Sequence, residues 1–336
     1  DLVETWLPSA DSTDLRGLEW DLLWAAAHTE ERVVPLPDVG RQLLWSGDRI
    51  LVTVEHEAIV YDAHSGEEVH RLDRGGQGYG CLIALSGDGT TLATLSADDT
   101  VRLHRSTDFT EVGRLAGLPI DSRIALSPDA RLLAGHCRDR RVHVWDVATG
   151  AAVATFGEFI EDCGLAFSPD GGQLAFAVQQ SLRLADTRTW EVVAELERPM
   201  SQVADLAWSP DGRRISLGDH ARNIQVWDVP RRALLATLSG HQNWINGLAW
   251  HPDGATLASA SWDYTVRLWN VETRQSVMLR GHREPPMALA WSPDGERIAS
   301  AGMDRTLRLW RVPPRQSLRL FPELRRDGGR LQWHPD

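Results

Sequence analysis

Residues 240–271 read GHQNWINGLAWHPDGATLASASWDYTVRLWNV. Three short runs of alternating apolar residues are separated by turn signals. In His251-Pro252-Asp253-Gly254, Pro presets φ and Gly supplies φ > 0 for a tight turn. The stretch therefore predicts three antiparallel strands. Residues 281–312, GHREPPMALAWSPDGERIASAGMDRTLRLWRV, repeat the design, so the unit is copied along the chain.

The residue just before each Ser/His-x-Asp turn is Trp45, Leu85, Leu126, Phe167, Trp208, Trp250, Trp291 and Trp333, at spacings of 40, 41, 41, 41, 42, 41 and 42 residues. This is the period at which four-stranded blades stack radially into a β-propeller. Helical repeats of similar length are excluded, because the pattern alternates with period two and is broken by a turn signal every ten residues or so. Gly240-His241, Trp269-Asn270, Gly281-His282, Trp145-Asp146 and Trp227-Asp228 make the chain resemble the WD40 family over residues 31–336. The expected fold is all-β, a propeller of seven blades, with an eighth completed beyond Asp336 as the alternative.

The resemblance implies a buried hydrogen-bonded set in each blade, joining a His, a Ser or Thr, an Asp and a Trp. It is complete as His241, Ser259, Asp263 and Trp269 in the sixth repeat and as His282, Ser300, Asp304 and Trp310 in the seventh. The second repeat keeps Thr94 and Asp98 but has His104 for Trp; the third keeps Asp139 and Trp145 but has Gly135 for Ser. The fifth has Leu217 and Ala221 where Ser and Asp belong. Such blades are expected to rely on apolar packing, since a partly satisfied buried network is worse than none. Residues 31–36, ERVVPL, read as an outer strand that closes the ring, with Pro35 at an edge. Residues 1–30 form a separate linker, with Leu15, Leu18, Leu22 and Ala25 or Ala26 at helical spacing in a short helix over 14–28.

The formal charge is −12 and all 35 basic residues are Arg. Nucleic acid and anionic membranes are therefore poor partners, and chemistries that need Lys (a P-loop, a Schiff base, a Ser-Lys dyad) are excluded. No apolar run approaches the ~20 residues needed to span a bilayer. Three cysteines (Cys81, Cys137, Cys163) form no CxxC pair and read as reduced thiols in a cytoplasmic protein, with Cys81 and Cys163, at equivalent strand positions, as small buried residues. No H-E-x-x-H, G-x-S-x-G or Cys/His cluster with zinc spacing occurs, so no catalytic, metal or cofactor site is expected.

That leaves binding. In the family, partners dock on the narrower face of the ring, which by position implies Trp244, Asn246 and Trp262 in the sixth repeat and Pro285, Met287 and Met303 in the seventh. Tyr79, Ile120, Arg138, Gln202 and His220 follow round the ring. Aromatic residues, Met and Arg are the types enriched in binding hot spots. The expected function is a non-catalytic interaction or sensor module that binds a protein or peptide. The first residue is Asp1 and the last residues begin another repeat, so the chain reads as the propeller of a larger bacterial, STAND-type signalling protein with a covalently attached upstream domain. The competing readings are an enzyme built on the propeller scaffold and a passive assembly scaffold.

Overall fold

A computed structural model describes residues 30–55, 57–73, 82–158, 164–178, 181–197 and 203–312. The expected helix over 14–28, Tyr79, Cys81, Cys163, Gln202 and the repeat start at 329–336 lie outside these. The described residues form seven four-stranded antiparallel sheets and no helix. Blades 1 to 6 are consecutive: β2–β5 (Gln42–Asp73), β6–β9 (Ile83–Leu115), β10–β13 (Ile120–Glu158), β14–β17 (Leu165–Glu197), β18–β21 (Val203–Ser239) and β22–β25 (Ile245–Leu279). Blade 7 takes β26 (Pro286–Trp291), β27 (Arg297–Gly302) and β28 (Thr306–Arg311) from one end of this region and β1 (Glu30–Pro35) from the other. The first strands of neighbouring blades touch all the way round, from β2 through β6, β10, β14, β18, β22 and β26 back to β2, so the ring is closed at seven. The outer strand of the seventh blade is thus Glu30–Pro35.

Packing between blades follows from the two-residue strand period. In β23 (Thr256–Ser261), Leu257 joins Ile224 and Val226 of blade 5, whereas Ala258 and Ala260 join Ile298 and Trp310 of blade 7. Both faces are covered, so every residue of β23 is buried and the strand reads as nearly continuous small and apolar side chains.

Three of the Trp residues that mark the sequence period pin blade to blade. Trp208 Nε1–H donates to Ala166 O at 3.2 Å, Trp250 to Ala207 O at 3.2 Å, and Trp291 to Ala249 O at 3.0 Å, each carbonyl belonging to the preceding blade. The adjoining turns are held by their own polar residues. Ser86, Ser127, Ser168, Ser209 and Ser292 donate to the Asp two residues on at 2.5–2.7 Å. In blade 6 His251 takes this place; its Nε2–H donates to Gly295 O at 3.0 Å and ties the turn to blade 7.

Two stability outcomes are expected. Trp269 and Trp310 are each only 1% exposed, so truncation to Ala costs about 3–5 kcal/mol in denaturant melts; no loss would refute their placement. Ala130 has φ 58° where the matching turns carry Gly89, Gly171, Gly212, Gly254 and Gly295. Ala130→Gly therefore raises stability by up to about 1 kcal/mol through relief of left-handed strain, read from the same melts.

Candidate functional site

The two complete four-residue sets are directional relays. Trp269 Nε1–H donates to Ser259 Oγ at 2.7 Å, Ser259 Oγ lies 2.7 Å from His241 Nε2, and His241 Nδ1 lies 2.8 Å from Asp263 Oδ2. A neutral imidazole satisfies every link: Nε2 accepts from the Ser hydroxyl and Nδ1–H donates to the carboxylate. Asp263 also accepts Gln242 N–H at 2.9 Å and Thr265 Oγ1–H at 2.6 Å. Burial works to raise its carboxyl, but the bonds from His241, Thr265 and Gln242 outweigh that and hold it far below the carboxylate range. Burial depresses His241, which keeps it neutral. Blade 7 repeats the geometry through Trp310, Ser300, His282 and Asp304 at 2.8, 2.7 and 3.0 Å. These groups are buried and fully engaged, so the His–Asp pairs brace the blades.

The degenerate blades divide: in blades 1 and 4 the Ser and Trp positions hold Val52 and Tyr61, and Phe176 and Ala185, which pack in apolar clusters as expected, whereas blades 2, 3 and 5 rebuild polar pairs. In blade 2 His104 stands for Trp, with Nε2 3.2 Å from Thr94 Oγ1 and Nδ1 3.2 Å from Phe109 O. In blade 5 Trp227 Nε1–H donates to Gln225 Oε1 at 3.2 Å. In blade 3 Asp139 accepts from His143 Nε2 at 2.8 Å. A buried donor without a partner costs about 1–3 kcal/mol, which favours these new pairs wherever a polar member is kept.

On the rim of blades 5 to 7, Trp244 stacks on His220 with ring centroids 4.5 Å apart and planes at 13°, and meets Trp262 edge-on at 6.0 Å and 62°. It nevertheless stays 46% exposed, and Tyr264, two residues beyond Trp262 in the same turn, is 51% exposed. The loop and turn are laced together: Trp262 N–H donates to Trp244 O at 2.8 Å and Ser261 Oγ–H to Asn243 O at 3.0 Å. In blade 7 Met303 N–H donates likewise to Pro285 O at 2.9 Å. Met303 is half-buried, whereas Pro285 is buried and presents no surface, which corrects its place among the binding candidates. Ile120, 2% exposed, is corrected too. It pairs with Cys137 as Ile245 pairs with Ser261, because the ladder of blade 3 skips from Ile120 to Ile124 while that of blade 6 skips only from Ile245 to Gly247. The longer irregularity displaces the sequence register on which Ile120 was chosen. Arg138 is exposed, but both its terminal nitrogens hold Asp99 of blade 2, at 2.9 and 2.6 Å.

Asn246, Met287 and His220 face inward, onto a central cavity of about 1030 Å³ lined by the inner strands. Asn246 Nδ2–H donates to Pro286 O at 3.2 Å. Deeper in, Arg123 of blade 3 reaches Asp205 of blade 5 at 3.0 Å, and the second Asp205 oxygen accepts Leu248 N–H of blade 6 at 2.8 Å. Gly164, just before the short inner strand of blade 4, lets Leu206 of blade 5 approach, since a Cβ there would fall 2.2 Å from Leu206 Cβ. Burial raises the Asp205 carboxyl, against Arg123 and the backbone N–H groups.

Residues 120–146, 190–228, 232–270 and 273–311 match the family model described as WD domain, G-beta repeat. The described ring is a WD40-repeat propeller. Among similar curated proteins, the WD repeat-containing protein VIP3 of Arabidopsis thaliana is 32% identical over 170 residues, 45% of this chain and 52% of the relative. Telomerase Cajal body protein 1 of Mus musculus is 26% identical over 191 residues (47% and 36%), and that of Homo sapiens 31% over 131 residues (35% and 24%). The chain spans about half the length, or less, of the curated relatives it matches. WD40 propellers generally serve as non-catalytic platforms for protein partners.

Sequence reasoning found the relays and the paired Trp residues of this WD40 ring. It missed Tyr264, the Arg123–Asp205 brace across a blade, and the meeting of Cys137, Asp139 and His143. The last has the spacing C-x-D-x₃-H, outside the zinc patterns searched, and only the hairpin register joins it.

The relays make the ring acid-sensitive. The unfolded His241 takes up a proton near about pH 6.5 while the folded one resists, and Asp263 and Asp304 resist protonation below about pH 3.9. The unfolded state therefore binds more protons, and stability falls as pH drops through this window. Denaturant midpoints measured from pH 7.5 to 4 are expected to decline, and His241→Gln to flatten the upper part of that decline. A slope unchanged by the substitution would refute the neutral relay.

Proposed function

We propose that the propeller is a protein-interaction module whose partner docks on the rim of blades 5 to 7, with Trp244 and Trp262 as anchors, His220 and Tyr264 beside them, and Asn246, Met287 and Met303 towards the channel mouth. The observation that carries this reading is Trp244. Its ring is fixed on one face by His220 and at its edge by Trp262, and still leaves nearly half of its surface in water. A rigid aromatic anchor with an exposed face loses little entropy on binding, and exposed clusters of this kind mark interfaces. A short segment bearing an apolar side chain fits the ledge, with Asn246 as a polar contact. Arg138, held by Asp99, contributes across the ring only as a charged pair.

The larger regulatory chain implied by the sequence resemblance, and a cytoplasmic setting, belong to the same proposal. A bacterial, STAND-type context draws no support from the plant and mammalian relatives and rests on the resemblance alone.

The double variant Trp244→Ala, Trp262→Ala separates binding from folding. Hot-spot aromatics contribute on the order of 2 kcal/mol or more each, so captured partner should fall at least tenfold in affinity while the melting midpoint stays near the parent. Unfolding of the variant would make these residues core; undiminished capture of the same partner would place the binding face elsewhere.

A further inference from the structure

Blade 3 keeps the turn carboxylate of the relay but not the groups that hold it in blades 6 and 7. Its lead-in, residues 115–119, reads LAGLP and has no His, and Gly135 stands for Ser. Ile120 fills the space over Gly135, its Cδ1 2.9 Å from where a Cβ would stand, and a different set of side chains meets beside it. Cys137 ends β11 (Leu132–Cys137), Asp139 sits in the following turn, and His143 lies on β12 (Arg141–Asp146). Their donor atoms, a thiol sulfur, a carboxylate oxygen and an imidazole nitrogen, all lie within 4.8 Å of one another.

A tetrahedral zinc ion with bonds of roughly 2.0–2.3 Å holds its donors about 3.3–3.8 Å apart. The cluster therefore needs a contraction of about 1 Å at its widest, while His143 Nε2 and Asp139 Oδ2, now 2.8 Å apart, must open slightly. A second feature is independent of the three donors. Thr155 Oγ1, on the neighbouring strand β13 (Ala152–Glu158), lies 3.2 Å from His143 Nδ1. Without metal, Nε2–H donates to Asp139 and Nδ1 accepts from the Thr155 hydroxyl; in the metal-bound tautomer Nδ1–H would donate to that oxygen and leave the Nε2 lone pair for the ion, the outer-shell arrangement that orients ligating histidines. Trp145 fixes the plane of the same ring by stacking at 5.7 Å and 19°. Access is from one side: the Asp139 side chain is 49% exposed and that of His143 20%, whereas Cys137 is buried.

We propose that the blade 3 hairpin binds a zinc-type divalent ion through Cys137 Sγ, His143 Nε2 and an Asp139 carboxylate oxygen, with water at a fourth position on the exposed side. One thiolate, one imidazole and one carboxylate form a donor set for borderline-soft ions and not for magnesium or calcium. Binding forms the metal–sulfur bond, releases the Cys137 thiol proton to solvent and moves the single imidazole proton to Nδ1. The thiolate and carboxylate together neutralise the ion.

Cobalt(II) tests the site directly, because a thiolate ligand gives a near-ultraviolet charge-transfer band. Titration of the metal-free full chain is expected to raise this band to saturation at one equivalent, and zinc to abolish it by displacement. Cys137→Ser should remove the band, His143→Gln should weaken affinity at least tenfold, and Thr155→Val about tenfold through loss of orientation, with circular dichroism confirming that each variant is folded. Cys81 and Cys163 remain in all of them, so a band of full strength in Cys137→Ser overturns the proposal. The absence of any band in the parent chain does so without reference to a variant, as does parental affinity in His143→Gln.

Discussion

The pairing of β1 with β28 is the constraint on which the ring depends. Residues 30–35 lie antiparallel to residues 306–310, from Pro35 opposite Thr306 to Glu30 opposite Trp310, and Arg308 holds the Glu30 carboxylate. Leu36 N–H continues the contact to Arg305 O at 2.8 Å, and Gly40 N–H reaches Gly302 O at 3.2 Å. Without this strand, β28 would present an open ladder to solvent, the feature that invites edge-to-edge association. Because the strand comes from the opposite end of the folded region, closing the ring also ties first blade to last. Val34, Leu36, Leu43, Ile50 and Leu307 then form one apolar cluster across the seam.

Given closure, each blade has two buried faces, and its stability depends on what it shares with both neighbours. The indole bonds from Trp208, Trp250 and Trp291 run one blade backward, and the apolar clusters are assembled between sheets. This explains why the strand cores tolerate so many small residues: in β27 (Arg297–Gly302), Ala299 and Ala301 let adjacent sheets approach closely. It also explains why a blade that loses its relay either recruits a polar substitute, as blade 2 does with His104, or fills the positions with apolar groups, as blade 4 does with Phe176 and Ala185. The position is buried by its neighbours whether or not its polar groups are satisfied.

Function then belongs to what the ring leaves uncovered. Inside the blades, His and Asp residues that resemble a catalytic pair are engaged on every polar atom and brace the strands. On the rim, Trp244 is stacked on one side by His220 yet leaves 46% of its surface in water, and Tyr264 leaves 51%. The same hairpin position thus yields a closed relay in blade 6, a donor cluster in blade 3 and a Thr–His pair in blade 2, depending on two or three side chains. Scaffold and site are separated by exposure more than by residue type.

The sequence alone determined the repeat, its 40–42-residue spacing, the strand-and-turn grammar of each blade, the relays of blades 6 and 7 and the role of residues 31–36 as a closing strand. These are local or periodic properties: two-residue alternation, turn chemistry and residues recurring at fixed offsets. Tertiary structure decided the rest, because the remaining facts are distances between residues far apart in the chain. Seven blades rather than eight followed from β1 pairing with β28 and β2 meeting β26. Ile120 and Pro285 were lost to burial, the first because an irregular stretch in β10 displaced the register. Arg123 found Asp205 across a whole blade, at the equivalent position two repeats on and 82 residues away, a contact that the pattern within a repeat does not encode. Cys137, Asp139 and His143 were in plain view in the sequence, yet the hairpin turn that brings their three side chains to one point is a property of the folded strands.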